Sequence, residues 1–214
     1  MISIDEYTNK VVLVLGFGKS GSSMAAALIA GGSKVWIWDD NPDVLLGAKI
    51  KGFDVFNPKK NELWQTIDLL LVSPGISTLD SIAHKFVLKA RLLEIFVDND
   101  IGLFFRILRS TKSKFSIPPK VIAVTGSNGK STTAQILYEV LEDQKYDVRL
   151  IGNIGNPALS EKKITKHTIF VIEASSYQLE YSQIFSSKYA AILNIAPDHI
   201  ETVSYTHLTL PTKA

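Results

Sequence analysis

Residues 125–132 carry the side chains best suited to binding a triphosphate. They read Thr-Gly-Ser-Asn-Gly-Lys-Ser-Thr and follow an apolar run at 121–125. Backbone N–H groups at the start of a helix attract anions, Lys130 would reach the β- and γ-phosphates, and the Ser131 hydroxyl would coordinate Mg²⁺. The general P-loop pattern has glycine where this chain has Val124, so the loop is a shorter form. The alternative is a structural turn after a buried strand.

Two further polar positions follow predicted strands. The run 169–173 ends in Glu173, where a carboxylate beside a P-loop strand can hold Mg²⁺, although glutamate at a strand end is also common. A later run leads into Asp198-His199. His199 could ligate a metal ion or pair with Asp198, and the chemistry alone leaves both readings open.

An earlier glycine pattern indicates a second nucleotide site. Gly16, Gly18 and Gly21 match G-x-G-x-x-G after a strand, and Asp39 follows after a second strand. Taken alone this spacing is typical of dinucleotide binding, with the acid on a ribose hydroxyl. The same turn occurs in domains that bind other nucleotides or none, so NAD is one of several possible ligands.

The elements around these motifs predict an α/β fold with a doubly wound parallel sheet. Apolar runs at 11–15, 34–38, 68–72 and 92–97 alternate with helical segments at 22–30 and 81–90. A second block begins at 121 and continues with a helix and strands at 147–151, 168–173 and 189–195. Between the blocks, residues 106–120 hold five basic residues and two prolines, which predicts a linker.

Composition and charge exclude several kinds of partner, covalent link and metal site. The net charge of +2 is too small to indicate a nucleic-acid partner, and the absence of cysteine excludes disulfides and thiolate metal sites. The first residues lack the basic region of a signal peptide, and no apolar run is long enough to span a bilayer. We expect a cytoplasmic monomer without a membrane partner.

Taken together, the motifs resemble those of the Mur ligase family. The loop at 125–132, Gly-Asn-Ile-Gly at 152–155, Glu-Ala-Ser-Ser-Tyr-Gln-Leu at 173–179 and Asn194 to His199 occur in that family's order and spacing, and Ser-Pro-Gly-Ile at 73–76 matches its first domain. The resemblance implies a Rossmann-like UDP-sugar-binding domain at 1–100 and an incomplete, P-loop-type ATP-binding central domain at 101–201.

The resemblance also implies roles for individual residues. The family's UDP-substrate contacts fall on Gly18, Lys19, Ser20, Asp39, Ser73, Gly75, Asn153 and Ser175. Its ATP-binding loop falls on Gly126, Ser127, Asn128, Gly129, Lys130, Ser131 and Thr132. Its Mg²⁺ ligands fall on Ser131, Glu173 and His199, and Lys130, Glu173 and His199 are the implied catalytic residues.

The letters around Lys130 favour the family member that adds D-glutamate to UDP-N-acetylmuramoyl-L-alanine in peptidoglycan precursor synthesis. That activity consumes ATP with Mg²⁺ and proceeds through an acyl phosphate. The alternatives are another ligase of the Mur or folylpolyglutamate type, a non-catalytic nucleotide-binding module, or an NAD oxidoreductase. No hydride-site pattern supports the oxidoreductase.

The resemblance ends at Glu201. Residues 202–214 match nothing in the family and show neither helical nor strand periodicity in their apolar residues. They are therefore interpreted as a foreign or frame-shifted tail. The implied family has a further domain for the incoming amino acid. We therefore expect this chain to be an inactive fragment whose second sheet exposes an apolar edge.

Overall fold

The computed structural model describes residues 4–78, 82–111, 119–160, 164–182 and 184–196. Within these ranges the chain forms two β-sheets with helices packed against them, and every strand pairing is parallel. The predicted α/β class is confirmed. No helix in the described ranges is both long and apolar enough to cross a membrane.

The first sheet has the strand order β3-β2-β1-β4-β5. The chain winds outward from β1 in one direction and then returns to start again at β4 on the other side. Ligands of parallel α/β sheets bind in the crevice at such a switch point, beyond the carboxyl ends of the strands. The strands are β1 Val11–Leu15, β2 Lys34–Trp38, β3 Asp54–Val55, β4 Leu69–Val72 and β5 Phe96–Asn99.

The helices of this first half follow the strands in alternation. Helix α2 begins with a local signal, because the Asn41 side chain accepts the Asp43 N–H and a proline occupies the first helical position. The helices are α1 Lys19–Ala30, α2 Pro42–Ile50, α3 Asn61–Trp64, α4 Lys85–Leu92 and α5 Asp100–Thr111.

The second sheet has the order β7-β8-β6-β9. Strand β8 is buried along its whole length, whereas β9 lies at the edge of the sheet with Tyr189 and Ile192 exposed. The elements are β6 Lys120–Thr125, α6 Lys130–Asp143, β7 Val148–Gly152, β8 Ile169–Glu173, α7 Ser176–Tyr181 and β9 Tyr189–Ile192.

The predicted linker at 106–120 is wrong for its first part. Arg106 lies inside α5, which continues to Thr111, and Lys120 begins β6. The basic side chains suggested a solvated loop, but Arg106 is held by Asp98 at 3.1 Å and by Glu6 at 3.2 Å. Residues 112–118 lie outside the described ranges.

Three predicted boundaries also shift. Leu92 ends helix α4, so the strand predicted at 92–97 begins only at Phe96. The helix predicted at 81–90 begins at Lys85, where His84 caps it. Strand β9 ends at Ile192, three residues before its predicted end at 195.

Helix α5 packs against both sheets. Its apolar side chains are buried on one broad face, while Arg109 and Ser110 are exposed, and the Phe104 ring meets Phe170 of β8 with centroids 4.9 Å apart. One continuous hydrophobic cluster therefore includes Val12 and Val14 of β1 together with Phe170 of the second sheet. The two halves of the chain share a core.

A buried polar network lies beside this core. The Asn99 amide donates to the Gln178 carbonyl at 2.9 Å, and the Gln178 amide donates to Asp100 Oδ1 at 3.3 Å. The Ser182 hydroxyl donates to Asn99 Oδ1 at 3.1 Å. Asp100 Oδ2 is buried and accepts no well-formed hydrogen bond among the described residues. Burial raises the pKa of Asp100, opposed by hydrogen bonding from Gln178 and the Ser20 hydroxyl.

Replacing Phe104 with alanine removes the ring that contacts both halves. We expect a loss of about 3–5 kcal/mol in the free energy of unfolding, from lost burial and the cavity left behind. Urea denaturation of Phe104→Ala measures it, and Leu92→Ala, at an exposed helix end, should change stability by less than about 1 kcal/mol. A loss below about 1 kcal/mol at Phe104 would contradict the shared core.

Asp100 predicts a pH-dependent stability difference. A raised pKa means that the folded state binds the proton more tightly than the unfolded chain, so this stabilisation is complete below the ordinary value of 3.8 and is lost as pH rises through the folded pKa. Asp100→Asn stays neutral, so its stability relative to the unmodified chain should grow between pH 4 and pH 7. Urea denaturation at both pH values tests this, and a constant difference argues against it.

Candidate functional site

The first candidate site is the glycine turn that joins β1 to α1. Gly16 has φ +85° and its N–H donates to the Trp38 carbonyl at 2.7 Å. A Cβ at Gly21 would lie 1.9 Å from the Gly16 carbonyl oxygen. Only glycine at position 21 lets α1 approach the turn this closely, which is the packing role that the G-x-G-x-x-G pattern predicts.

Asp39 holds this turn in place. One carboxylate oxygen accepts the Phe17 N–H at 2.8 Å and the other accepts the Asn41 N–H at 2.9 Å. Each oxygen keeps capacity for a further donor. The side chain therefore fixes the glycine turn against the end of β2 and also faces the cavity beyond it.

A cavity of about 420 Å³ opens between the glycine turn and the loop after β4. Ser73 connects the two walls, because its buried hydroxyl donates to the Gly16 carbonyl at 2.7 Å. The predicted UDP-substrate contacts of the first half all line this cavity: Gly18, Lys19, Ser20, Asp39, Ser73 and Gly75. Their role in binding stays a prediction.

Two residues of the same cavity had no predicted role. Asp40 and His84 line it, and their Oδ2 and Nε2 atoms are 2.8 Å apart. His84 Nδ1 accepts the Phe86 N–H, so the ring hydrogen lies on Nε2 and points to Asp40. This hydrogen bond lowers the pKa of Asp40. No spacing rule links residues so far apart in the chain, and only the fold brings them together.

The second candidate site is the loop between β6 and α6. Gly126 and Gly129 have φ +139° and +82°, values that side chains rarely adopt. The Lys130 ammonium folds back over the loop and donates to the carbonyls of Gly126 at 2.7 Å and Ser127 at 2.9 Å. The loop therefore presents a lysine above the start of a helix, as an anion site requires.

The predicted ATP-binding residues divide into two groups. Lys130, Ser131 and Thr132 open α6, where backbone N–H groups have no acceptor within the helix. Ser127 and Asn128 instead donate their N–H groups to Asn194, at 3.0 Å and 2.9 Å. Their backbone N–H groups are thus already bonded to the segment after β9.

Two oxygen side chains meet beside this loop. The Ser131 hydroxyl donates to Glu173 Oε2 at 3.0 Å, and only 3% of Glu173 is exposed. Glu173 ends β8, the strand next to β6. A hydroxyl and a carboxylate are the hard oxygen ligands that Mg²⁺ prefers, so this pair fits that ion. The third predicted ligand, His199, lies outside the described residues, among which no cluster of three or more His, Asp or Glu occurs.

Asn153 and Ser175 flank Glu173 at the same edge of the sheet. The Asn153 N–H donates to the Glu173 carbonyl at 3.0 Å. Ser175 begins α7 and forms a reciprocal cap with Gln178, whose amide also reaches Asp100. The structure thus brings these predicted substrate contacts close to the phosphate loop, and their binding role stays a prediction.

Similarity to known proteins points to one family. The Mur ligase middle domain matches residues 124–208, a range that begins at the phosphate loop and includes part of the tail after Glu201. A solved UDP-N-acetylmuramate:L-alanyl-gamma-D-glutamyl-meso-diaminopimelate ligase from Neisseria meningitides shares the fold, with a TM-score of 0.52 at 19% identity over 92% of this chain and 64% of that one.

Curated relatives resemble nearly the whole chain. UDP-N-acetylmuramoylalanine--D-glutamate ligases from Ruegeria pomeroyi and Bartonella henselae are each 38% identical over 94% of this chain. That from Jannaschia sp. is 39% identical over 91%. The chain spans 42–44% of the length of these relatives. The match to the middle-domain model and the sequence similarity to these relatives show that this chain belongs to the Mur ligase family.

Proposed function

We propose that this chain provides the UDP-sugar and ATP sites of a ligase that joins D-glutamate to UDP-N-acetylmuramoyl-L-alanine in peptidoglycan precursor synthesis. The observation that carries this proposal is the meeting of Lys130, Ser131 and Glu173 at one edge of the second sheet. The printed names of the relatives supply the substrates.

In this proposal the phosphates of ATP lie against the first turn of α6. The Lys130 ammonium leaves the carbonyls of Gly126 and Ser127 and turns to the phosphate oxygens, while the N–H groups of the helix start supply fixed partial positive charge. Ser131 and Glu173 would hold Mg²⁺, which neutralises phosphate charge when bound.

The reaction joins anionic partners, so its main requirement is fixed positive charge. The carboxylate of the UDP-sugar substrate attacks the γ-phosphorus of ATP, and the bond to the β-phosphate oxygen breaks to release ADP. The amine of D-glutamate then displaces phosphate from the acyl phosphate and loses a proton. Lys130 and the helix start are positioned before reaction, which is how preorganised groups stabilise charge that develops at the transition state.

A second candidate is a nucleotide-binding module without turnover. The observation in its favour is that the described residues supply a lined cavity and a lysine-bearing loop at a helix start, which are features that bind nucleotides without requiring turnover. The two candidates predict the same ligands and differ only in whether phosphate is released. Binding to this chain is therefore the first property to measure.

Lys130→Ala tests the ATP site. Charge-assisted hydrogen bonds contribute about 1.5–3 kcal/mol, so we expect Mg·ATP affinity to fall by about 10- to 100-fold in calorimetry. Lys166→Ala removes an exposed lysine of the same half and serves as the control. If Lys130→Ala and the unmodified chain bind Mg·ATP with equal affinity, Lys130 does not contact the bound nucleotide.

Gly21→Ala tests the UDP-sugar site. The new Cβ would collide with the Gly16 carbonyl oxygen, so the turn must move away from the cavity that Gly16 lines. We expect UDP-N-acetylmuramoyl-L-alanine to bind about tenfold more weakly or worse, through the loss of one or two hydrogen bonds.

Gly47→Ala is the matched control, because its Cβ meets nothing within 4 Å inside α2. It should bind the UDP-sugar as the unmodified chain does. Binding by Gly21→Ala with unchanged affinity would show that the ligand does not contact this turn.

A further inference from the structure

The phosphate loop is fastened to the segment that follows β9. The Leu193 N–H donates to the Thr125 carbonyl at 3.0 Å, and the Ser127 N–H donates to the Asn194 carbonyl at 3.0 Å. These two bonds continue the pairing of β6 with β9 past the ends of both strands. The loop conformation is therefore tied to residues 193–196.

The Asn194 side chain binds both backbone groups of a single loop residue. Its Oδ1 accepts the Asn128 N–H at 2.9 Å, and its Nδ2 donates to the Asn128 carbonyl at 2.9 Å. A carboxamide offers an acceptor and a donor side by side, whereas a carboxylate or an aliphatic group cannot supply both. Asn194 thereby fixes the orientation of the peptide groups on either side of Asn128.

A second link lies next to the first. The Ser127 hydroxyl donates to the Ala196 carbonyl at 3.0 Å and accepts the Ala196 N–H at 2.9 Å. A Cβ at Gly126 would lie 3.0 Å from the Asn194 carbonyl oxygen, so a side chain there would press on the segment. Ser127 and Asn128 therefore each form a pair of hydrogen bonds with this segment, Ser127 with Ala196 and Asn128 with Asn194.

The fixed loop determines where α6 begins. Asn128 directly precedes Gly129, which caps α6 with φ +82°, and Lys130 follows as the first helical residue. The Lys130 ammonium rests on the carbonyls of Gly126 and Ser127. A rotation of the peptide groups at Asn128 would therefore reorient the first N–H groups of α6. It would also move the carbonyl groups that the Lys130 ammonium contacts.

We propose that Asn194 is a positioning residue that holds the phosphate-binding loop in the conformation that accepts ATP. This inference rests on the proposed ATP site and adds a residue that touches no phosphate itself.

The test compares Asn194→Ala with Gln135→Ala, which removes an exposed side-chain bond from α6. Calorimetry with the non-hydrolysable analogue AMP-PNP and Mg²⁺ should show binding about tenfold weaker or worse in Asn194→Ala, since two hydrogen bonds that hold the loop are lost. Gln135→Ala should bind as the unmodified chain does. Amide hydrogen exchange by NMR should accelerate at Asn128 while the β6 amides stay protected, which a general loss of stability would not produce.

Ser127→Ala is the second variant, because it removes only the link to Ala196 and keeps both Asn194 side-chain bonds. It should weaken AMP-PNP binding by less than Asn194→Ala does. Unchanged binding in Asn194→Ala, or unchanged exchange at Asn128, would overturn the positioning role. If the unmodified chain fails to bind AMP-PNP with Mg²⁺, the ATP site itself is overturned, and the exchange rate at Asn128 still decides whether Asn194 holds the loop.

Discussion

Helix α5 joins the two halves of the chain into one hydrophobic cluster. Its apolar side chains are buried on one broad face, and from that face Phe104 meets Phe170 of the second sheet. Because α5 starts at the end of β5, this contact places the second sheet beside the carboxyl end of the first. The buried network through Asn99, Asp100 and Gln178 gives the contact a defined geometry. A purely apolar interface would be less selective about orientation.

This network also runs close to residues of both candidate sites. Gln178 caps α7 through Ser175, one of the predicted substrate contacts, and its amide reaches Asp100. The Ser20 hydroxyl, at the wall of the first cavity, lowers the pKa of the same carboxyl. Burial of a carboxyl group with an unpartnered oxygen is costly. Under the proposed function, a substrate with a nucleotide at one end and a carboxylate at the other would need both sites at a fixed separation, which would be a physical reason for keeping this network.

The sequence predicted the parts that local chemistry determines. The turn at Gly126 and Gly129 and the helix that begins at Lys130 could be predicted, because glycine permits the positive φ values found there; phosphate binding by this loop stays a prediction. Prediction from the sequence failed where tertiary contacts determine the structure. The basic residues after 105 hid the continuation of α5, since nothing local indicates that Arg106 pairs with Asp98 and Glu6. Asn194 was identified only as part of a motif, and its bonds to Asn128 require the fold.

We propose that one chain holds two separate nucleotide sites, one for a UDP-sugar and one for ATP. The most direct measurement is calorimetric titration of the chain with UDP-N-acetylmuramoyl-L-alanine, followed by titration of the saturated complex with Mg·ATP. We expect each ligand to bind once per chain and neither to displace the other. Competition between the two ligands for a single site, or displacement of the UDP-sugar by NAD, would contradict it.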